Sequence, residues 1–198
     1  MRKVLVVLIL AFNLNANAQE VTVEKSIFGI QTGFGVHAGI WFNNESKVSN
    51  SIAVRSEIGL EKDFTVGDHY DGTGFILQPV VTLEPRYYYN LEKRNSNGKQ
   101  IANNSGNYFS IKTSYHPDWF VINLADNVTK TADLAIVPTW GLKRTIGNHF
   151  TYETAVGFGY RVVYLKENSV NGNVQNADGA YNRNQYIPFL HLGIGYTF

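Results

Sequence analysis

The chain has 198 residues and no cysteine, which excludes a disulfide scaffold and a thiolate zinc site alike. Its fold must hold by backbone pairing and packing. A dominant charge is also missing: 17 Lys and Arg stand against 16 Asp and Glu, so no overall field gathers nucleic acid. Nucleic acid is not expected as a partner. After residue 18 no stretch is long and apolar enough for a transmembrane helix, which needs roughly 18 or more residues. That leaves open a membrane barrel, whose strands hide apolar residues at every second place. The length suits one closed barrel or one packed domain better than two.

Met1 to Ala18 carry a basic start (Arg2, Lys3), an apolar run from Val4 to Phe12 and an Ala16-Asn17-Ala18 ending. This is the pattern of a secretory signal peptide, with cleavage expected before Gln19 and residues 19–198 forming the mature domain. Its removal takes two of the 17 basic residues, leaving 15 against 16 acidic.

Alternation dominates the rest. From Phe28 to Phe42 one phase reads Phe28, Ile30, Thr32, Phe34, Val36, Ala38, Ile40 and Phe42, the other Gly29, Gln31, Gly33, Gly35, His37, Gly39 and Trp41. A period of two is that of a strand. It recurs through Ile52–Glu61, Phe75–Tyr89, Leu134–Lys143, Phe150–Tyr164 and Tyr186–Phe198. Each run is long enough to cross a bilayer at the usual tilt. Ser49-Asn50 and Gly147-Asn148 read as tight turns, whereas 67–74, 124–131 and 167–183 read as long polar loops. The expected fold is all-β: a closed antiparallel up-and-down transmembrane barrel, of eight strands near 20–33, 35–48, 51–65, 74–89, 107–123, 132–146, 149–166 and 184–198. The first hairpin is expected to turn at Gly33 to Gly35. Asn90 to Gly106 is long and basic (Lys93, Arg94, Lys99) on the short-turn side, and predicts a small ordered excursion or a brief helix.

The polar phase is rich in glycine, which suits a crowded interior, and the apolar phase ends in aromatics. Tyr87, Tyr89, Phe150, Tyr152, Tyr196 and Phe198 fall near one rim, and Tyr115, Trp119, Tyr160 and Tyr164 near the other, as an interfacial girdle requires. Pro79, Pro85, Pro138 and Pro188 fall within strands, where each removes a ladder hydrogen bond. Bulges near the rims are the expected accommodation.

The terminal strand Leu190-His191-Leu192-Gly193-Ile194-Gly195-Tyr196-Thr197-Phe198 resembles that of small outer-membrane β-barrel proteins of the OmpA and OmpX type. Pro85-Arg86-Tyr87-Tyr88-Tyr89-Asn90-Leu91 and Tyr115-His116-Pro117-Asp118-Trp119-Phe120 are similar to segments of other Gram-negative outer-membrane barrels of no assigned activity. The resemblance implies residence in the outer membrane after export through the periplasm, with outer-membrane lipid and, during biogenesis, the barrel-assembly machinery as partners. It also implies that Leu192, Ile194, Tyr196 and Phe198 form the C-terminal assembly signal. No activity is implied, because this fold carries stabilising proteins, adhesins and enzymes.

Charged and histidine residues of the polar phase are the candidate interior network: His37, Arg55, Glu57, Glu84, Arg86, Lys112, Lys143, Glu153, Arg161 and His191. Unpaired charge in a narrow lumen is costly, so they are expected to pair with one another or with water. An ion-pair plug and a narrow polar pathway are the two readings. An enzyme needs a nucleophile and a base held together. Small-barrel lipid A deacylases place a His and a Ser two apart on one strand, but Gly193 follows His191 and Gly39 follows His37 at that offset. His116 with Asp118 is the least poor catalytic pair and Asp68-His69 is another, but each such short motif is more often an ordinary solvated loop pair. Five scattered His residues give no metal-ligand spacing, and Asp63, Asp68, Asp71 and Asp178 lack that of a calcium loop. No cofactor is expected. The leading expectation is a structural or surface-interacting outer-membrane barrel. A membrane-embedded lipid-modifying hydrolase or acyltransferase, and a soluble lipocalin-like binder of apolar ligands, are the alternatives.

Overall fold

The computed structural model describes residues 21–63, 76–120, 122–123, 132–164 and 182–198. The expected signal peptide and long loops lie outside these residues, apart from the last two positions of the third loop, which open the final strand. The strands are β1 (Ser26–Gly35), β2 (His37–Lys47), β3 (Ile52–Asp63), β4 (Ile76–Tyr88), β5 (Asn107–His116), β6 (Ile122–Asn123), β7 (Ala132–Ile146), β8 (Phe150–Tyr164) and β9 (Asn182–Thr197). Each pairs antiparallel with its neighbours, and β9 pairs back onto β1 from Gly29↔Thr197 to Gly35↔His191. That pairing closes the sheet. The short β6 continues the line of β5 along β4, so the nine segments form a barrel of eight strands.

The alternation sorts the two faces. Phe28, Ile30, Phe42, Ile58, Leu83, Ile111, Ile136, Val156, Phe158, Leu190 and Ile194 are exposed outward, whereas Gln31, Asn43, Arg55, Glu57, Glu84, Arg86 and Glu153 are buried inward.

Each proline falls where its missing donor is not needed. The Tyr88 amide donates to Ser51 of the β3 side, so odd-numbered residues of β4 point toward β5. The β4–β5 ladder skips the row of Pro85, and Pro79 faces the inserted segment Pro117–Phe120 between β5 and β6. Lys143 donates to Gly106 of the β5 side, which turns even positions of β7 toward β8, and the β7–β8 ladder skips the row of Pro138. On β9, Leu190 accepts from Val36 of the β1 side; Pro188 points the same way, beyond the end of β1. The rim insertion is of the expected kind, but Pro85 and Pro138 sit at ladder gaps well inside their strands.

The first hairpin turns later than Gly33 to Gly35. Gly33 still pairs with Gly39, and Gly35 is the last residue of β1, so the chain reverses around Val36. Gly35 serves close approach instead of a turn: a Cβ there would lie 1.9 Å from the Leu190 carbonyl oxygen.

Between β4 and β5 lies the predicted excursion, with helix α1 (Leu91–Ser96) and a 3-10 turn (Ala102–Asn104). Leu91, Glu92, Lys93 and Arg94 are good helix formers, and Gly98, at φ +65°, stops the helix. Asn90 precedes α1 but spends its side chain on the Asn107 amide, 2.7 Å away, which ties the two ends of the excursion together. Val23, Ala53, Tyr88, Leu91 and Tyr108 pack into an apolar cluster beneath it. The excursion thereby caps the barrel end that carries both tight turns, bonding through Gln100 and Asn103 to Gly147 and Asn148 of the β7–β8 turn.

Candidate functional site

The interior is the most chemically loaded part of the molecule. Strand order, not sequence proximity, assembles it. Arg86 of β4 meets Glu153 of β8 through both terminal guanidinium nitrogens, at 2.8 and 3.1 Å, and bonds Glu84 at 2.7 Å. Arg55 donates to Glu57 at 2.6 Å and to Gln31 of β1. Lys112 donates to Glu57 at 2.8 Å, and Lys143 to Glu45 at 3.0 Å. Glu45, Glu57, Glu84 and Glu153 therefore face Arg55, Arg86, Lys112 and Lys143, four negative charges to four positive.

Neutral donors add to three of these carboxylates. Tyr88 and Asn104 donate to Glu45, Tyr108 to Glu153 and Ser110 to Glu84, all within 2.6 to 2.8 Å. Tyr108 also lies under the Arg86 guanidinium, 4.3 Å from the ring centre. Its ring occupies the space a side chain at Gly141 would need, where a Cβ would stand 2.4 Å from it. These donors matter because a buried ion pair stabilises only if its geometry is good and its other valences are filled; in this group the buried Arg86 Nε has no hydrogen-bond partner among the described residues.

A second group lies toward the opposite end. His116, 1% exposed, sets Nδ1 2.8 Å from Asp133 and Nε2 2.6 Å from Glu61. Arg161 donates to the other oxygen of Asp133 at 2.6 Å, and Trp41 to the other oxygen of Glu61 at 3.0 Å. His37 stands 3.9 Å from Glu61. His191 lies between the groups, edge-on to Trp41 at 5.6 Å and stacked on Phe189 at 6.3 Å. The cavity lined by Gln31, Trp41, Glu57, Arg86 and His191 measures about 20 Å3, roughly the space of one water molecule.

The residues marked in the sequence thus gather into two groups with His191 between. The pair His116 and Asp118 fares differently. His116 ends β5 and points into the barrel, and the carboxylates on its ring are Glu61 and Asp133; Asp118 sits half-buried in the insertion. With both nitrogens on carboxylates, neither is left to take a proton from a nucleophile, as a general base must. Ile194, Tyr196 and Phe198 face outward and exposed, Leu192 is half-buried, and the Phe198 amide donates to Phe28 at 3.0 Å.

Sequence reasoning passed over Gln31, Glu45, Glu61, Tyr88, Tyr108 and Asp133 as site residues. All belong to the inward phase, so counting by twos from Arg55 to Glu61, or back from Ala135 to Asp133, reaches them. Tyr88 was masked by its outward neighbours Tyr87 and Tyr89.

The fold is a closed eight-stranded antiparallel barrel whose described strands expose apolar side chains and bury charged ones. No family model, curated protein or solved structure matches the chain.

Proposed function

We propose that this is an integral outer-membrane barrel of Gram-negative type, inserted with its capped end and C-terminus toward the periplasm, whose role is structural or surface-presenting. The observation that carries the reading is the inversion of its faces. Exposed Phe, Ile, Leu and Val cover the outside of every long strand, while Arg, Glu and Lys fill the inside. An apolar belt around a whole barrel far exceeds the few hundred Å2 that water-soluble monomers expose, and it matches the band that lipid covers in membrane barrels. Exposed aromatics end the belt on both sides: Tyr87, Tyr89, Phe150, Tyr152 and Phe198 at the capped end, Tyr115, Trp119 and Tyr164 at the other.

A lipocalin-like binder requires the opposite arrangement, an apolar interior around a ligand cavity. Among the described residues the interior cavity has room for about one water molecule, and charged groups line it. That favours a plug over a conducting pore. The occupied nitrogens of His116 likewise give no support to a lipid hydrolase or acyltransferase.

The test is gel migration of boiled and unboiled protein extracted from the outer-membrane fraction. A heat-modifiable species is expected there. A water-soluble protein that migrates identically before and after boiling would overturn the reading.

A further inference from the structure

The capping excursion builds a basic cleft that neither the barrel nor the interior network explains. Helix α1, the following turn and the end of β7 border an open cleft of about 460 Å3, with Lys93, Arg94, Lys99 and Arg144 on its walls beside Tyr89 and Asn107. That volume lies within the range of small-ligand sites. None of the four cations makes an ion pair among the described residues. Arg94 donates to the Gln100 carbonyl at 3.0 Å; Arg144 donates to the carbonyls of Gly106 and Lys143, at 2.8 and 2.7 Å, and to the side-chain oxygen of Asn107. These acceptors are neutral, so they fix the guanidinium groups without cancelling their charge. The interior, by contrast, matches every named cation with a carboxylate.

The cleft also has a defined place on the barrel. Trp140 and Asn107 both donate to the Tyr89 hydroxyl, at 3.0 and 3.2 Å, and the Tyr89 ring lies 5.3 Å from that of Phe109. Tyr89, Phe109 and Trp140 belong to the exposed apolar belt. Tyr89 is therefore both the edge of that belt and a wall of the cleft. In a bilayer this is the depth at which hydrocarbon ends and lipid phosphate begins.

The geometry points to a binding site for the phosphodiester headgroup of an anionic diacyl phospholipid in the periplasmic leaflet, its acyl chains lying along the belt below Tyr89. Arg144 and Arg94 are positioned to grip phosphate oxygens, Lys93 and Lys99 add unpaired positive charge, and asparagine side chains suit the glycerol hydroxyls. The inference rests on the membrane reading above.

Native mass spectrometry of the full chain, folded in detergent and titrated with phosphatidylglycerol, phosphatidylcholine or free glycerol phosphate, tests it. Phosphatidylglycerol is expected to be retained in preference to both. The variant K93Q/K99Q should weaken that retention by about fivefold per removed cation at low salt. K25Q/K47Q removes the same charge outside the cleft and should leave it unchanged, and K93R/K99R should restore it. Equal loss in K93Q/K99Q and K25Q/K47Q, or equal retention of phosphatidylcholine, would overturn the site; glycerol phosphate binding as tightly as the lipid would overturn the lipid assignment. Failure of the membrane reading shows separately, as a chain that is soluble without detergent and not heat-modifiable.

Discussion

Arg86 and Glu153 reach across the barrel interior from β4 and β8 and meet in a two-point ion pair, with both side chains 3% exposed. Neither is a ladder neighbour of the other, since Glu153 faces Lys143 across β7 and β8. The pair therefore couples strands that share no backbone bonds. Removing Arg86 takes a cation from both Glu84 and Glu153 in the interior, and breaking a buried pair in this way costs about 3 to 5 kcal/mol. Arg86→Met is expected to lower the unfolding free energy of the detergent-folded barrel by that order, and Glu153→Leu by less, because Arg86 keeps Glu84 at 2.7 Å. The double variant should lose less than the sum of the two, because Glu153 is no longer left short of a cation, while Glu84 keeps only its bond from Ser110. Equilibrium unfolding of the four proteins gives the coupling; additive single losses would show that the pair is not a unit.

Gly35 and Gly98 separate two uses of glycine. At Gly35 a side chain meets the Leu190 carbonyl, whereas at Gly98 nothing lies within 4 Å and only the positive φ of +65° opposes substitution. Gly35→Ala must push apart the β1–β9 seam that closes the barrel and also hold φ at +156°, with a cost of about 3 kcal/mol or more. Gly98→Ala should cost about 1 to 2 kcal/mol, the strain of an alanine at positive φ alone. Comparable losses in unfolding experiments would deny the close contact.

How far the sequence carried these conclusions follows from the same physics. Period-two alternation fixes which residues share a face, so strand spans and the direction of Arg55, Arg86 and Glu153 were legible. Turn position was less so, because Gly33 and Gly35 look like turn residues whether they bend the chain or let two backbones meet. Partners were not legible at all. Arg86 has Glu84 two residues away, yet it takes Glu153 as well, and that choice depends on how the sheet closes. His116 reads as the neighbour of Asp118, but the end of β5 turns it toward Glu61 and Asp133 from other strands. The prolines spoke against a barrel until the ladder showed which way each missing donor points.

The His116 group carries its own prediction. His116→Ala removes the donor shared by Glu61 and Asp133 and leaves two carboxylates facing a void. A structural role predicts a loss of stability of a few kcal/mol, as for a broken buried network, with lipid composition unchanged in cells that carry the variant. A barrel of unaltered stability with altered lipid acylation would instead restore the enzyme reading.

Lipid contact is tested by charge at two depths. Phe158 lies near the middle of β8 and Ile146 at the capped end of β7, and both point outward, 63% and 58% exposed. On a water-soluble barrel arginine at either site is close to neutral. On a lipid-facing surface Phe158→Arg costs about 2 to 4 kcal/mol and Ile146→Arg about 0 to 1. Folding free energies measured in phospholipid vesicles distinguish the cases, and equal effects at the two sites would sink the insertion account.

Phe198 belongs to the seam that closes the barrel and, in the reading proposed above, to an assembly signal. The Phe198 amide reaches Phe28 at 3.0 Å, extending the β1–β9 seam by one bond, while its ring is 73% exposed and contacts Tyr196 at 5.7 Å. One backbone bond contributes about 1 kcal/mol, so deletion of Phe198 should leave a barrel that still refolds in detergent with slightly lower stability. An exposed ring that adds little to the folded state has another use in the reading proposed here, as the final aromatic of the assembly signal. Deletion is therefore expected to reduce the outer-membrane fraction in cells severely while changing detergent unfolding only modestly. Phe198→Tyr should preserve insertion and Phe198→Ala should not. Equal amounts of heat-modifiable protein from the deletion and the parent chain in fractionated membranes would remove the signal from the account and leave Phe198 as a seam residue alone.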